Sequence, residues 1–232
     1  MLSPGFYQRY QRSLIEPDWA IDLRHILIIY DLLSSGMFRH ALEIGAHYGA
    51  STCAFVEAAE HSSDLRVTVC DSTITSVVRE LVQRSAAAPR CQLLECDSFE
   101  ALQQLRERRM PVDVALLDGS HVFYRNATEA ALLRCLGTRT LLLHDICTTS
   151  HDRYGRNHEF DGPTKLLERL QSASGWFAVE DSKLRDGERT EGGFALVTRN
   201  REIWERAVEV FSAWTSLPKA DLRRATGATD QG

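Results

Sequence analysis

The feature that most constrains this chain is a rhythm. Short apolar runs at 40–45 (HALEIG), 66–70 (RVTVC), 91–96 (CQLLEC), 113–117 (DVALL) and 139–144 (RTLLLH) are each followed by a longer segment with apolar residues at helical spacing. Short buried strands separated by helices are βαβ units, which force a parallel sheet covered on both faces. Toward the C-terminus the rhythm changes. WFAVED at 176–181 and FALVTRN at 194–200 are separated by the polar stretch SKLRDGERTEGG, too short for a useful crossover helix, so these runs are expected to pair antiparallel. The fold class that follows is α/β, a doubly wound sheet of seven strands, mostly parallel with an antiparallel last strand, and helices on both faces.

Outside the sheet, Ile21, Leu23, Ile26, Leu27, Tyr30, Leu32 and Leu33 recur at helical spacing, and Gly36 stands where a helix would stop. Residues 201–215 read as a closing amphipathic helix with Ile203, Trp204, Ala207, Val210, Phe211 and Trp214 on one stripe, followed by a polar tail expected to fray. With 232 residues, 44% of them hydrophobic, the chain suits one α/β domain with a sizeable core. Lys plus Arg number 27 against 32 for Asp plus Glu, a net charge of −5 that argues against a nucleic-acid partner. The longest apolar runs, such as ILIIY at 26–30, are too short to span a bilayer, and the start lacks a basic segment followed by an apolar one. The expectation is a cytoplasmic protein without a membrane partner. Cys53, Cys70, Cys91, Cys96, Cys135 and Cys147 form no CxxC pair and read as reduced core residues. The sequon Asn126-Ala127-Thr128 reads as incidental.

The most informative stretch is ALEIGAHYGAST at 41–52, which turns an apolar strand into a helix through two glycines. Gly45 would let the chain bend at the strand end, Gly49 would let backbone approach a ligand, and Ser51 or Thr52 could cap the helix. The GxxxG spacing differs from the GxGxxG that aims a helix at a pyrophosphate. Glu43, before the first glycine, suits a ligand bearing an ammonium group. Asp71 and Ser72 follow the second run, where a carboxylate can accept from both hydroxyls of a ribose. After the third, Asp97 could take an exocyclic amine and Phe99 flank a purine. Three such features at successive strand ends form a nucleoside-like site.

These residues resemble class I S-adenosylmethionine-dependent methyltransferases: EIGAHYGAST looks like their first motif, CDST their second and CDSFEAL their third. The resemblance spans residues 20–200 and implies a Rossmann-like domain over 39–217, an N-terminal helical lid or cap over 1–38 and a flexible tail over 218–232. It implies cofactor contacts from Glu43, Gly45, Ala46, Tyr48, Gly49, Ser51, Asp71, Ser72, Asp97, Ser98, Phe99, Asp118, Gly119 and His121.

DGSH at 118–121 and HD at 144–145 put ionisable groups at the same sheet edge, so Asp118, His121, His144 and Asp145 are expected to converge on one pocket. In-line methyl transfer needs an acceptor hydroxyl held close and partly deprotonated, and histidine is a natural base for that proton. The arrangement resembles small-molecule O-methyltransferases of secondary metabolism. That resemblance implies His121 as base, with His144 as a second choice, Asp118 in the catalytic set, and Asp118 and Asp145 as ligands for Mg²⁺. His144 departs from the pattern, in which an acid often stands at its position, and imidazole is a poorer magnesium ligand.

The polar segment 147–163 reads as an irregular loop, either simply solvated or lying over the acceptor, in which case His151, Asp152, Tyr154, His158 and Asp161 are candidate contacts. His47 and Tyr48 either touch the acceptor or shape the turn. Phe6, Tyr7 and Tyr10 either pack, the simpler use, or form part of a lid or a subunit contact, and a homodimer is the default assembly. The partner expected is a small-molecule acceptor. Competing readings are N- or C-methylation, a nicotinamide oxidoreductase, an aminopropyl transferase, and a noncatalytic protein that keeps the fold.

Overall fold

Each apolar run becomes a strand because its side chains are wanted on both faces of the sheet. The computed structural model describes residues 2–3, 5–15, 21–146, 161–182 and 192–226. The strands are β1 His40–Ile44, β2 Arg66–Asp71, β3 Cys91–Glu95, β4 Val114–Leu117, β5 Thr140–His144, β6 Phe177–Asp181 and β7 Phe194–Thr198. They lie in the order β3-β2-β1-β4-β5-β7-β6. Pairings among β1 to β5 are parallel, and β7 runs antiparallel to both β5 and β6. The seven-stranded, mostly parallel sheet and the late antiparallel pair are as the sequence suggests.

Alternation along the central strands builds two apolar layers. On β5, Leu142 faces one layer while Leu141 and Leu143 face the other; on β7, Phe194 and Leu196 oppose Ala195 and Val197. The first layer is completed by α1 (Phe6–Ser13), α2 (Leu23–Leu33), α3 (Ala50–His61) and α4 (Ser76–Gln83), the second by α5 (Ser98–Glu107), α6 (Phe123–Cys135) and α7 (Gly162–Ser172). The closing helix, α8 (Arg201–Thr215), returns to the first layer, and α9 (Lys219–Ala225) follows it.

The helix α2 starts where Asp22 accepts a hydrogen bond from the Arg24 backbone N–H at 2.7 Å. It is buried almost all round, packing on α3 and α8. Even Arg24 is buried, its guanidinium donating to the carbonyls of Trp214 (3.2 Å) and Leu217 (3.1 Å). The sequence suggests a cap over residues 1–38; α2 instead forms part of the main core. Likewise α9 stands where a frayed tail is expected, with Leu222 buried in the first layer.

Cys53 and Cys70 are buried and Cys91 and Cys96 half-buried, all with free thiols. Cys135 corrects the core expectation, since it is exposed at the end of α6. Cys147 lies outside the described residues, among which no helix is long and apolar enough to cross a membrane.

Candidate active site

Strand order reverses about β1, which has β2 on one side and β4 on the other, and the crevice beyond such a switch point is where open α/β sheets bind ligands. Here the chain is drawn tight. Gly45 has φ +95°, and a Cβ there would stand 2.5 Å from the backbone C and O of Asp118 and the N of Gly119. Asp71 shapes the loop from across the crevice, its Oδ2 accepting from the backbone N–H groups of Ala46 and His47, each at 2.9 Å. The result is a cavity of about 320 Å³, lined by Gly45, Asp71, Ser72, Asp97, Ser98 and Gly119 together with Ser120, Arg125 and Glu129. That volume is within the range of small-molecule sites.

At one end of the cavity Asp97 caps α5, its Oδ1 accepting from the Phe99 N–H at 2.9 Å. Its Oδ2 pairs with the Arg125 guanidinium, which holds the carboxyl below its usual range. Arg125 also lies over the Phe99 ring, 4.7 Å from its centre.

At the other side, the ends of β4 and β5 bring together two carboxylates and two imidazoles. His121 Nε2 lies 2.6 Å from Asp145 Oδ2, and His144 Nδ1 lies 2.9 Å from Asp118 Oδ1 and 3.5 Å from Asp145 Oδ1. Burial disfavours charge on both imidazoles, but the facing carboxylates win: His121 is raised and His144 is pushed up to about 9. Asp145 is likewise pulled below the ordinary carboxylate range, because His144 and His121 outweigh its burial. Asp145 adopts φ +58°, an unusual backbone state for a non-glycine residue, and its N–H donates to the Gly193 carbonyl at 3.1 Å. Gly192 presses on the pair so closely that a Cβ there would stand 1.9 Å from Asp145 Oδ1. Behind them, the ring of His25 packs edge-on to His144 (5.9 Å between centroids) and stacks on Phe194 (5.2 Å). Burial lowers the pKa of His25, whose Nε2 faces the buried Asp181 at 3.4 Å.

Residues 42–146, which hold both the cavity and this cluster, match the methyltransferase-domain family. This stretch of the chain is similar to a methyltransferase domain. Among curated proteins none matches the sequence. Among solved structures, an O-methyltransferase from Bacillus cereus in complex with S-adenosylhomocysteine is 16% identical, covering 84% of this chain and 90% of that one with a TM-score of 0.67. The O-methyltransferase TomG from Streptomyces achromogenes, involved in tomaymycin synthesis and solved with S-adenosylmethionine, is also 16% identical, with coverages of 85% and 90% and a TM-score of 0.66. A methyltransferase from Podospora anserina bound to S-adenosylhomocysteine is 12% identical, with coverages of 84% and 87% and a TM-score of 0.61. These likenesses are of fold.

Within this stretch, the cavity gathers six of the residues that the sequence points to: Gly45, Asp71, Ser72, Asp97, Ser98 and Gly119. With a glycine that admits no side chain and carboxylates at two strand ends, it suits an adenosyl cofactor. Several expectations need correction. Glu43 does not face a ligand ammonium: it is fully buried, and the hydroxyls of Ser51 and Thr52 (the latter at 2.8 Å) donate to it. Burial pushes its pKa up to about 8 against those two hydrogen bonds. Consequently neither hydroxyl caps α3, whose N-cap is Gly49 without a side-chain bond. Gly49 serves helix packing, since a Cβ there would stand 2.8 Å from the Leu81 side chain. Ala46 contributes its backbone to Asp71, and Tyr48 packs edge-on against His47 at 4.4 Å, which shapes the turn. Phe99 lies under Arg125, and Asp118 and His121 belong to the acid–imidazole cluster. Asp161 precedes α7 and pairs with Lys165 at 2.7 Å, while His151, Asp152, Tyr154 and His158 lie outside the described residues. Arg125, Glu129 and Gly192 were not singled out from sequence, because they come from a helix face and a strand approach that carry no motif.

The ligand atoms of Asp118, His121 and Asp145 lie within 4.8 Å of one another, a spacing that a metal ion could bridge. The chemistry does not suit Mg²⁺, which demands a near-octahedral shell of oxygens. Three of the four carboxylate oxygens already face imidazole nitrogen: Asp118 Oδ1 and Asp145 Oδ1 meet His144, and Asp145 Oδ2 meets His121.

Proposed function

We propose that the domain transfers a methyl group to a hydroxyl of a small molecule in secondary metabolism, with His121 as the general base. Bound S-adenosylmethionine supplies a methyl group on a sulfonium, whose departure leaves a neutral thioether. The observation that carries the reading is the His121–Asp145 pair, 2.6 Å apart, at the same sheet edge as the Gly45 cavity. Asp145 orients His121 and raises its proton affinity, so His121 takes the hydroxyl proton as the acceptor oxygen bonds to carbon. The pairing of His144 with Asp118 keeps that carboxylate from competing for the proton and places positive charge beside the developing alkoxide. The cofactor contacts proposed are Gly45, Asp71, Ser72, Asp97, Ser98 and Gly119. The choice of oxygen and of natural-product substrates is supported by the tomaymycin-pathway neighbour, and the free thiols accord with a cytoplasmic setting.

The test is titration calorimetry with S-adenosylhomocysteine, followed by incubation with S-adenosylmethionine and a panel of hydroxylated natural products, read by mass spectrometry for one added methyl group on oxygen. Methylation confined to nitrogen or carbon would refute the hydroxyl reading, and no binding of S-adenosylhomocysteine would refute the cofactor site. In the same assay EDTA should leave the rate unchanged. A loss that Mg²⁺ restores would reinstate Asp118 and Asp145 as ligands.

A further inference from the structure

Asp97 is the carboxylate expected to receive the adenine amine, yet both of its oxygens are already committed, Oδ1 to the Phe99 N–H and Oδ2 to Arg125. The arginine that engages it comes from α6 and enters the cavity wall between Asp97, Ser98 and Glu129. Its Nη2 also donates to Ser98 Oγ at 2.9 Å, and its Nε lies 3.5 Å from Glu129 Oε1. Glu129 is itself buried and fixed by the Ser98 hydroxyl at 2.5 Å. The guanidinium carbon lies over the Phe99 ring. Three polar partners and an aromatic ring therefore hold a long side chain, ordinarily mobile at a surface, in one plane.

A planar guanidinium carries five N–H donors, and Nη1 takes part in none of these contacts. A purine presents ring nitrogens as acceptors, and its flat face can stack on a guanidinium plane. We infer that Arg125, rather than Asp97, reads the adenine of the cofactor, donating from Nη1 to N3 or N7 of the ring or stacking on the base, with Asp97, Ser98, Glu129 and Phe99 as the frame that positions it. The inference rests on the cofactor reading above and assigns the nucleobase contact within it. It carries a specificity consequence. A carboxylate that accepts from the exocyclic amine would reject a base with oxygen there, because acceptor would face acceptor. A guanidinium that donates to N3 or N7, which remain acceptors in hypoxanthine, or that stacks on the ring, would not.

The experiment is calorimetric binding of S-adenosylhomocysteine and of its hypoxanthine analogue, S-inosylhomocysteine, to the intact protein and to Arg125→Met, which keeps the apolar stem. The wild type should bind both ligands with dissociation constants within about fivefold of each other, and Arg125→Met should bind S-adenosylhomocysteine at least about fivefold more weakly, the order expected for one charge-assisted or stacking contact. Discrimination against the inosine form by more than that factor, or a smaller loss in the variant, would overturn the assignment while leaving the cofactor site standing. Failure of the wild type to bind S-adenosylhomocysteine would instead remove the cofactor reading itself. Thermal melts of both proteins separate lost contact from lost fold.

Discussion

A base that is paired with a carboxylate is strong but must first be unprotonated. His121 meets that condition only above its raised pKa, so turnover should climb with pH through the range in which it deprotonates. His121→Ala should leave S-adenosylhomocysteine affinity within about twofold and lower turnover by roughly 10²–10⁴-fold, the usual contribution of a general base. A variant with wild-type turnover would exclude it from that role. His144 governs stability in a different way. Its pKa rises from 6.5 to about 9 on folding, so the stabilisation it contributes is fully present below pH 6.5 and is lost as pH rises through 9. Asp118, Asp145 and Asp22 favour its charged form, against burial and the neighbouring imidazoles. Glu43, raised from 4.5 to about 8, acts in the same direction over a lower window. The melting temperature should therefore fall between pH 8 and 9.5 in the wild type and fall less steeply in His144→Asn, as scanning calorimetry would read; parallel profiles would sink the claim.

The elements were legible wherever a local pattern carried them. Strand runs such as RTLLLH and FALVT are apolar enough to announce burial on both faces, and the α8 stripe is a one-helix signal with a clear period. Less visible were elements whose ordering depends on a distant partner. The helix α9 buries Leu222, and α2 is absorbed into the core partly because Arg24 finds carbonyl acceptors in the last turn of α8 and just beyond it. The stack of Phe211 on Phe194, 5.8 Å between centroids, is where α8 holds the sheet. Phe211→Ala should cost about 3–5 kcal/mol in denaturant unfolding, as deletion of a buried aromatic ordinarily does. A change below 1 kcal/mol, which conservative swaps also give, would show that α8 is held elsewhere.

For the whole molecule, the cleft depends on β1 and β4 lying side by side and ending at the same level. Gly45→Ala would drive a Cβ into the backbone of Asp118 and Gly119 and hold a side chain at φ +95°. Strain on the order of 1–3 kcal/mol follows, and S-adenosylhomocysteine affinity should fall about tenfold, since each 1.4 kcal/mol is a factor of ten. Unaltered affinity would mean that the switch point does not shape the ligand site. This half of the site was readable because Gly45, Asp71, Asp97 and Gly119 each stand at the end of a strand or within two residues of it. The rest was not. Glu43 is turned inward by two hydroxyls of the next helix, Arg125 is recruited by a carboxylate on a neighbouring helix, and Gly192 matters only because β7 delivers it against Asp145. None of those meetings is encoded in a contiguous stretch.

The one reversed strand divides the labour of the chain. Because β7 enters the sheet at the edge where β5 leaves it, Gly192 and Gly193 arrive at Asp145 from the far end of the sequence, while among the described residues the cavity is lined from within 44–129. The lining of the Gly45 cavity and the setting of the His121–Asp145 pair are thus written in separate passages of one polypeptide. Under the proposed function, substitution around β7 would retune proton acceptance without touching the residues that line the cavity.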